Sequence, residues 1–145
     1  MEMIVFVGLQ GSGKSTYYNK HFVRKRQYYV RVSKDLMTGS STKKRDTQRE
    51  MISLALLKGL NVIVDNTSVS AAVRKPLIDL GHLFGARVVA YWFPMSVKEC
   101  VARNAQRKGK AKVPNVAIYT MAKKFEDPTI AEGFDEVMKI VQEKE

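Results

Sequence analysis

The sequence predicts an α/β fold in which a central parallel sheet of about five strands carries helices on both faces. Three observations lead there. Short β-branched and aromatic runs alternate with longer stretches of helical spacing, as right-handed βαβ crossovers require. The run "NVIVD" at 61–65 is apolar on both faces, as strands inside a parallel sheet are. With 145 residues, 45% hydrophobic and 27% charged, the chain suits one domain over 1–145 and is too short for two.

Residues 3–7, "MIVFV", form a first buried strand that runs into a glycine-rich loop. A helix follows from Lys14 to about Val23, and "YYVRVS" (28–33) is a second strand. "RDTQREMISLALLKG" (45–59) has helical spacing, with Ile52, Leu56 and Leu57 on one side and Gly59 as its C-terminal cap. "NVIVDNT" (61–67) is the third strand. The next helix takes Ser68 or Ser70 as N-cap and ends at Phe84 before Gly85, with Pro76 expected to kink it or delay its start. "RVVAYWF" (87–93) is the fourth strand. A helix over 96–108, capped by Ser96, carries Arg103 and Arg107 on one face and leads into a basic loop. Pro114 opens the first turn of a helix reaching 126, and a short last strand falls near 136–141. No repeat, linker or low-complexity segment interrupts this order. Trp92, the methionines and most tyrosines read as packing, and His21 and His82 show no partner pattern.

Several classes drop out. No apolar run reaches the roughly 18 residues of a membrane span. The N-terminus lacks a basic leader region and runs straight into a strand. The one cysteine, Cys100, forms no internal disulfide, and no metal-ligand cluster is visible. A reducing setting, cytoplasmic or nucleoplasmic, is expected. The net charge of +11 is the unusual bulk number. It is clustered in "RKR" (24–26), "KKR" (43–45) and "RNAQRKGKAK" (103–112), which favours a phosphate-backbone partner over charge spread for solubility.

"GLQGSGKS" (8–15) fits G-x-x-x-x-G-K-[ST]. Glycines let the backbone curl so that successive N–H groups face phosphate oxygens, and the following helix adds its positive end. Lys14 would reach the β- and γ-phosphates and the Ser15 hydroxyl would ligate Mg2+. Gly8, Gly11, Ser12, Gly13, Lys14, Ser15 and Thr16 are thus expected to bind ATP. Chance supplies such a match in roughly one chain of this size in two hundred. A guanine-reading N-K-x-D is missing, since "NKHF" lacks the aspartate. Strand three ends in Asp65 followed by Asn66 rather than the acidic pair of a mechanical ATPase. A small P-loop kinase is the leading reading. Asp35, just past strand two, could orient an acceptor hydroxyl and take its proton, or merely cap the next helix.

The chain resembles the 5′-polynucleotide kinase domain of the phage and animal DNA/RNA end-healing enzymes. The matching pieces run in order: "VGLQGSGKST", "VSKD", "VIVDNTSVSAAVRKPL", "ARNAQRKGKAKVP" and "AIYTMAKKFEDPTIAEGF". The resemblance implies that Asp35 is the general base and that Arg107 is a lid arginine on the transferring phosphoryl group. It implies that Arg103 lies beside the nucleotide, that Asp65 and Asn66 touch the acceptor, and that 103–114 forms a basic helical lid. The implied activity is transfer of the γ-phosphate of ATP, with Mg2+, to the 5′-OH end of DNA or RNA. Two departures stand out. The phage enzyme has an arginine three residues after its base, where this chain has Thr38, so no 3′-phosphate contact carries over. No D-x-D-x-[TV] motif occurs, so a phosphatase domain is not expected in this chain. Competing readings are a small-metabolite kinase, a nucleotide-sugar-phosphorylating toxin, and a non-enzymatic nucleotide switch or RNA-binding module. A homo-oligomer is compatible with all of them.

Overall fold

Five apolar runs pair into a single sheet, every neighbouring pair parallel, in the order β2-β3-β1-β4-β5. The strands are β1 (Glu2–Val7), β2 (Tyr29–Val32), β3 (Asn61–Asp65), β4 (Arg87–Trp92) and β5 (Glu136–Lys139). Between them lie helices α1 (Lys14–His21), α2 (Ser41–Leu57), α3 (Ala71–Leu83), α4 (Val97–Ala105) and α5 (Asn115–Lys124). The structure, a computed structural model, describes residues 1–141, except for the side chain of Lys110 in the basic loop.

The period of two along β1 builds two core layers. Met3, Val5 and Val7 face one side and pack with Ile52 and Leu56 of α2 and Leu77 and Ile78 of α3. Ile4 and Phe6 face the other side and pack with Tyr18, Phe22 and Phe93. A smaller cluster of Leu9, Val69, Cys100 and Ile118 seats the α4–α5 hairpin on the loops after β1 and β3. The chain leaves β1 towards β2 on one side, and later crosses from β3 over to β4 on the other. That reversal opens a crevice beyond the carboxyl end of β1, the usual ligand position in such sheets.

Some boundaries differ from the sequence reading. Helix α2 begins four residues early, at Ser41, because the Ser40 hydroxyl accepts from the Lys43 N–H at 3.2 Å. Lys43, Lys44 and Arg45 therefore belong to its opening turns. At its other end Gly59 N–H donates to Leu56 O and Leu60 N–H to Ala55 O, the paired bonds of a left-handed glycine stop. Ser70, not Ser68, caps α3, and the helix neither starts late nor breaks at Pro76. Helix α4 stops at Ala105, so Arg107 lies beyond its end and does not share a helix face with Arg103. Among the described residues no helix is long and apolar enough to cross a membrane.

Candidate active site

The loop between β1 and α1 is shaped by its glycines. Gly13 stands at the N-cap of α1 with φ 99°, and its missing side chain leaves the helix start without a side-chain cap. Gly11, at φ 85°, lies so close to α4 that an added Cβ would sit 2.7 Å from the Cys100 carbonyl oxygen. The loop is pinned to the exit of β3 by Gly8 N–H donating to Thr67 O at 3.0 Å. Lys14, Ser15 and Thr16 form the first turn of α1, whose amides have no partner within the helix. The Ser12 hydroxyl is buried and has no hydrogen-bond partner among the described residues. An uncapped helix start and an orphaned buried hydroxyl are the features a phosphate group would satisfy.

Lys14 Nζ donates to Gly8 O at 2.7 Å and Leu9 O at 3.0 Å. Burial lowers its pKa from 10.5 to about 8. The Asp65 carboxylate opposes that shift, the Arg107 charge adds to it, and Asp35 opposes it more weakly. Asp35, Asp65 and Arg107 thus all lie within electrostatic reach of one ammonium group.

Asp35 occupies a single turn, Lys34–Leu36, directly after β2. It is exposed, and among the described residues no hydrogen bond or ion pair engages its carboxylate. The turn itself is held: Lys34 N–H donates to Asn66 Oδ1 at 2.9 Å, and Asn66 Nδ2 donates to Gln48 Oε1 of α2 at 2.6 Å. Asp65 is buried and accepts from Arg31 Nε at 2.9 Å and Nη2 at 2.6 Å. Arg31 in turn lies 4.4 Å over the Tyr18 ring. Asp65 and Asn66, which the resemblance puts on the acceptor, are here tied into the framework that sets the Asp35 turn.

Arg103 lies on the last turn of α4 and Arg107 in the loop after it, with Nη1 donating to Ala111 O at 3.3 Å. Burial raises the pKa of the Cys100 thiol, and the Lys14, Arg103 and Arg107 charges oppose that rise. Arg107 also bears on the Lys14 ammonium, whereas Arg103 bears only on the Cys100 thiol. The helix ends where it does because Asn104, fully buried, exchanges bonds with Val113: Nδ2 to Val113 O at 2.5 Å, and Val113 N–H to Oδ1 at 2.9 Å. That pair closes the base of the basic loop.

The string "FEDPTIAEGF" serves as a clamp. Arg74 of α3 is fully buried and meets Glu132 through Nε at 2.7 Å and Nη2 at 3.1 Å. Its Nη1 donates to Ser68 O at 2.9 Å and to Glu126 O at 3.0 Å. Ser68, in the turn that leaves β3, is the one non-glycine residue with positive φ, 48°, among the described residues. Four partners of the site escaped the sequence reading: Arg31, Gln48, Arg74 and Asn104. Arg74 and Gln48 left a signal, since Arg74 falls on the buried stripe of Leu77, Ile78 and Gly81 in α3 and Gln48 on that of Ile52, Ala55 and Leu56 in α2. His82 has a partner after all, Asp135 Oδ2 at 3.0 Å, remote from the site in the packing of β4 against α3.

Residues 3–128 match the family described as AAA domain. The bifunctional polynucleotide phosphatase/kinase of Schizosaccharomyces pombe is 29% identical over 142 residues, 96% of this chain and 33% of that protein. The chain thus spans about a third of the length of that curated relative. Among solved structures, a chain of the Pnkp1/Rnl/Hen1 RNA repair complex superposes with a TM-score of 0.68 at 28% identity, covering 85% of this chain and 43% of that one. A gluconokinase from Sinorhizobium meliloti 1021 shares the fold at a TM-score of 0.64 and 19% identity, over 96% of this chain and 81% of its own.

Proposed function

The chain belongs to the AAA domain family, and from that membership we propose that it is an ATP-dependent polynucleotide 5′-hydroxyl kinase. One observation carries the reading. Asp35, an exposed carboxylate with no partner among the described residues, shares the field of Lys14 at a helix start with no side-chain cap, in a chain of net charge +11. The modest identity to a polynucleotide phosphatase/kinase supports the same conclusion.

In the proposed reaction the loop amides, the Ser12 hydroxyl and Lys14 hold the phosphates of ATP. Arg103 lies beside the nucleotide. Asp35 accepts a hydrogen bond from the acceptor's 5′-OH, aligning its oxygen with the γ-phosphorus, and takes the proton as the new P–O bond forms. The bond between the γ-phosphorus and the bridging oxygen breaks, and ADP leaves. Lys14 and Arg107 offset the charge on the transferring group, which a loose transition state needs more than covalent help. The Ser15 hydroxyl, exposed on the first turn of α1, would hold Mg2+, which would supply further charge neutralisation. Asp65 and Asn66 bear on the acceptor by holding the Asp35 turn, and segment 103–114 acts as a basic lid over the site. Nucleic acid, DNA or RNA, is the partner.

The gluconokinase likeness makes small-metabolite phosphorylation the second reading. Incubating the protein with labelled ATP and Mg2+, with a 5′-OH oligonucleotide or a panel of sugar acids and nucleosides, separates the two. Label on the oligonucleotide end supports the first.

A further inference from the structure

Apart from Lys14, the cations of the first 35 residues find no work at the phosphate loop. Between Glu2 and Asp35 the sequence has no acidic residue and seven cations: Lys14, Lys20, Arg24, Lys25, Arg26, Arg31 and Lys34. The turn Val23–Lys25 brings "RKR" beside β2, the edge strand of the sheet. There a groove of about 460 Å³ runs along that edge, lined among others by Tyr18, Arg26, Tyr29, Arg31 and Leu36. Leu36 is 68% exposed and adjoins Asp35, so the groove starts next to the proposed base and leads away from it.

The chemistry of the lining is consistent along its length. Arg31 spends Nε and Nη2 on Asp65 and has no bond from Nη1, while its side chain keeps 26% exposure. Arg26 has one local bond, Nε to Val23 O at 3.0 Å, and is otherwise exposed. Arg24 and Lys25 flank it in solvent. Tyr29 presents an aromatic wall, fixed by its hydroxyl donating to Glu2 Oε1 at 3.1 Å. Exposed guanidinium nitrogens beside aromatic rings suit a flexible polyanion that carries flat apolar bases, which is single-stranded nucleic acid. A volume of this size accommodates a base with its sugar and phosphate.

Resting on the kinase reading, we propose that this β2-edge groove binds the acceptor strand just downstream of its 5′ end. The terminal hydroxyl sits at Asp35, and the next nucleotides pass Leu36 and Arg31 towards Arg26. The cations contact phosphates and the tyrosines contact bases, so binding is strong on a strand and indifferent to its sequence.

The test measures binding and turnover separately. Fluorescence anisotropy with a 3′-labelled 5′-OH octamer gives the dissociation constant across a salt series. Arg24→Ala/Arg26→Ala should weaken the octamer roughly tenfold and lower the slope of log K against log salt by about 0.7 per lost contact. The acceptor KM of a nucleoside 3′-phosphate, too short to reach the groove, should stay put. Lys58→Ala/Lys75→Ala removes equal charge elsewhere and should leave the octamer near wild type. Iodouracil at the second or third nucleotide, irradiated on the wild-type protein, should crosslink within residues 18–36. Crosslinks in 103–114, or an unchanged dissociation constant in the double variant, would overturn the groove while leaving the kinase reading intact. Binding and crosslinking as expected with no phosphate transfer would overturn the kinase reading and keep the groove. Absence of both binding and transfer would overturn both.

Discussion

Replacing Glu132 by Gln should destabilise the protein far more than an ordinary carboxylate-to-amide change. Arg74 is 0% exposed and Glu132 12% exposed, so the ion pair sits out of water. Glutamate accepts from Arg74 Nε on Oε1, and from Arg74 Nη2 and Thr129 N–H on Oε2. Glutamine must set its NH2 against one of these donors. The less damaging orientation loses the Nε bond and leaves a buried guanidinium with no counter-charge. Breaking one partner of a buried pair costs about 3–5 kcal/mol. For a chain near this length that corresponds to a fall in Tm of roughly 9–15 °C, at about 3 °C per kcal/mol. Thermal unfolding followed by circular dichroism measures it. Glu136→Gln is the matched control: it breaks the exposed Arg87–Glu136 pair, 51% and 43% exposed, and should leave Tm near wild type. A fall of under about 3 °C for Glu132→Gln would refute the reasoning. So would equal falls for the two variants, since burial would then not decide the cost.

Asp35→Asn should lower kcat by about 10²–10⁴-fold while the ATP dissociation constant changes little, because the carboxylate meets the acceptor and not the nucleotide; steady-state kinetics with titration calorimetry separates the two. Lys14, lowered to about 8, must take up a proton when it meets phosphates at higher pH, so ATP affinity should fall above pH 8 by up to tenfold per unit. Lys14→Arg stays charged and should flatten that profile. Between pH 8 and 10.5 the unfolded chain keeps the proton that folded Lys14 has shed, so this residue's contribution to stability improves as pH rises, and urea midpoints across that window should show it. Gly11→Ala places a methyl 2.7 Å from Cys100 O at a positive φ, costing about 1–2 kcal/mol from the backbone alone, and should lower Tm and ATP affinity together.

The phosphate loop was legible because every residue that shapes it lies within eight positions, Gly8 to Ser15. The parallel sheet and its crossover helices followed from the alternation of strand and helix patterns, and the position of Asp35 from the end of β2, but the strand order did not. What escaped depends on distant partners. Arg31 meets Asp65 across 34 positions and Arg74 meets Glu132 across 58, and nothing in a single sequence pairs them. The end of α4 escaped for the same reason. Its helical pattern runs on to Lys108, but the bonds between Asn104 and Val113 turn the chain at Ala105 and carry Arg107 out of the helix. The start of α2 was missed for a local reason: the basic run after Ser40 reads as a loop until the serine cap is recognised.

The proposed function itself stands or falls on where the γ-phosphate goes. Wild-type protein and Asp35→Asn, each with labelled ATP and Mg2+, should be given equal concentrations of a 5′-OH oligonucleotide, its 5′-phosphorylated twin and a mixture of sugar acids and nucleosides. The account predicts label on the 5′-OH oligonucleotide alone, removable by alkaline phosphatase, and almost none with Asp35→Asn. Label on a metabolite with the oligonucleotide untouched would contradict it, as would end-labelling that survives the loss of the Asp35 carboxylate.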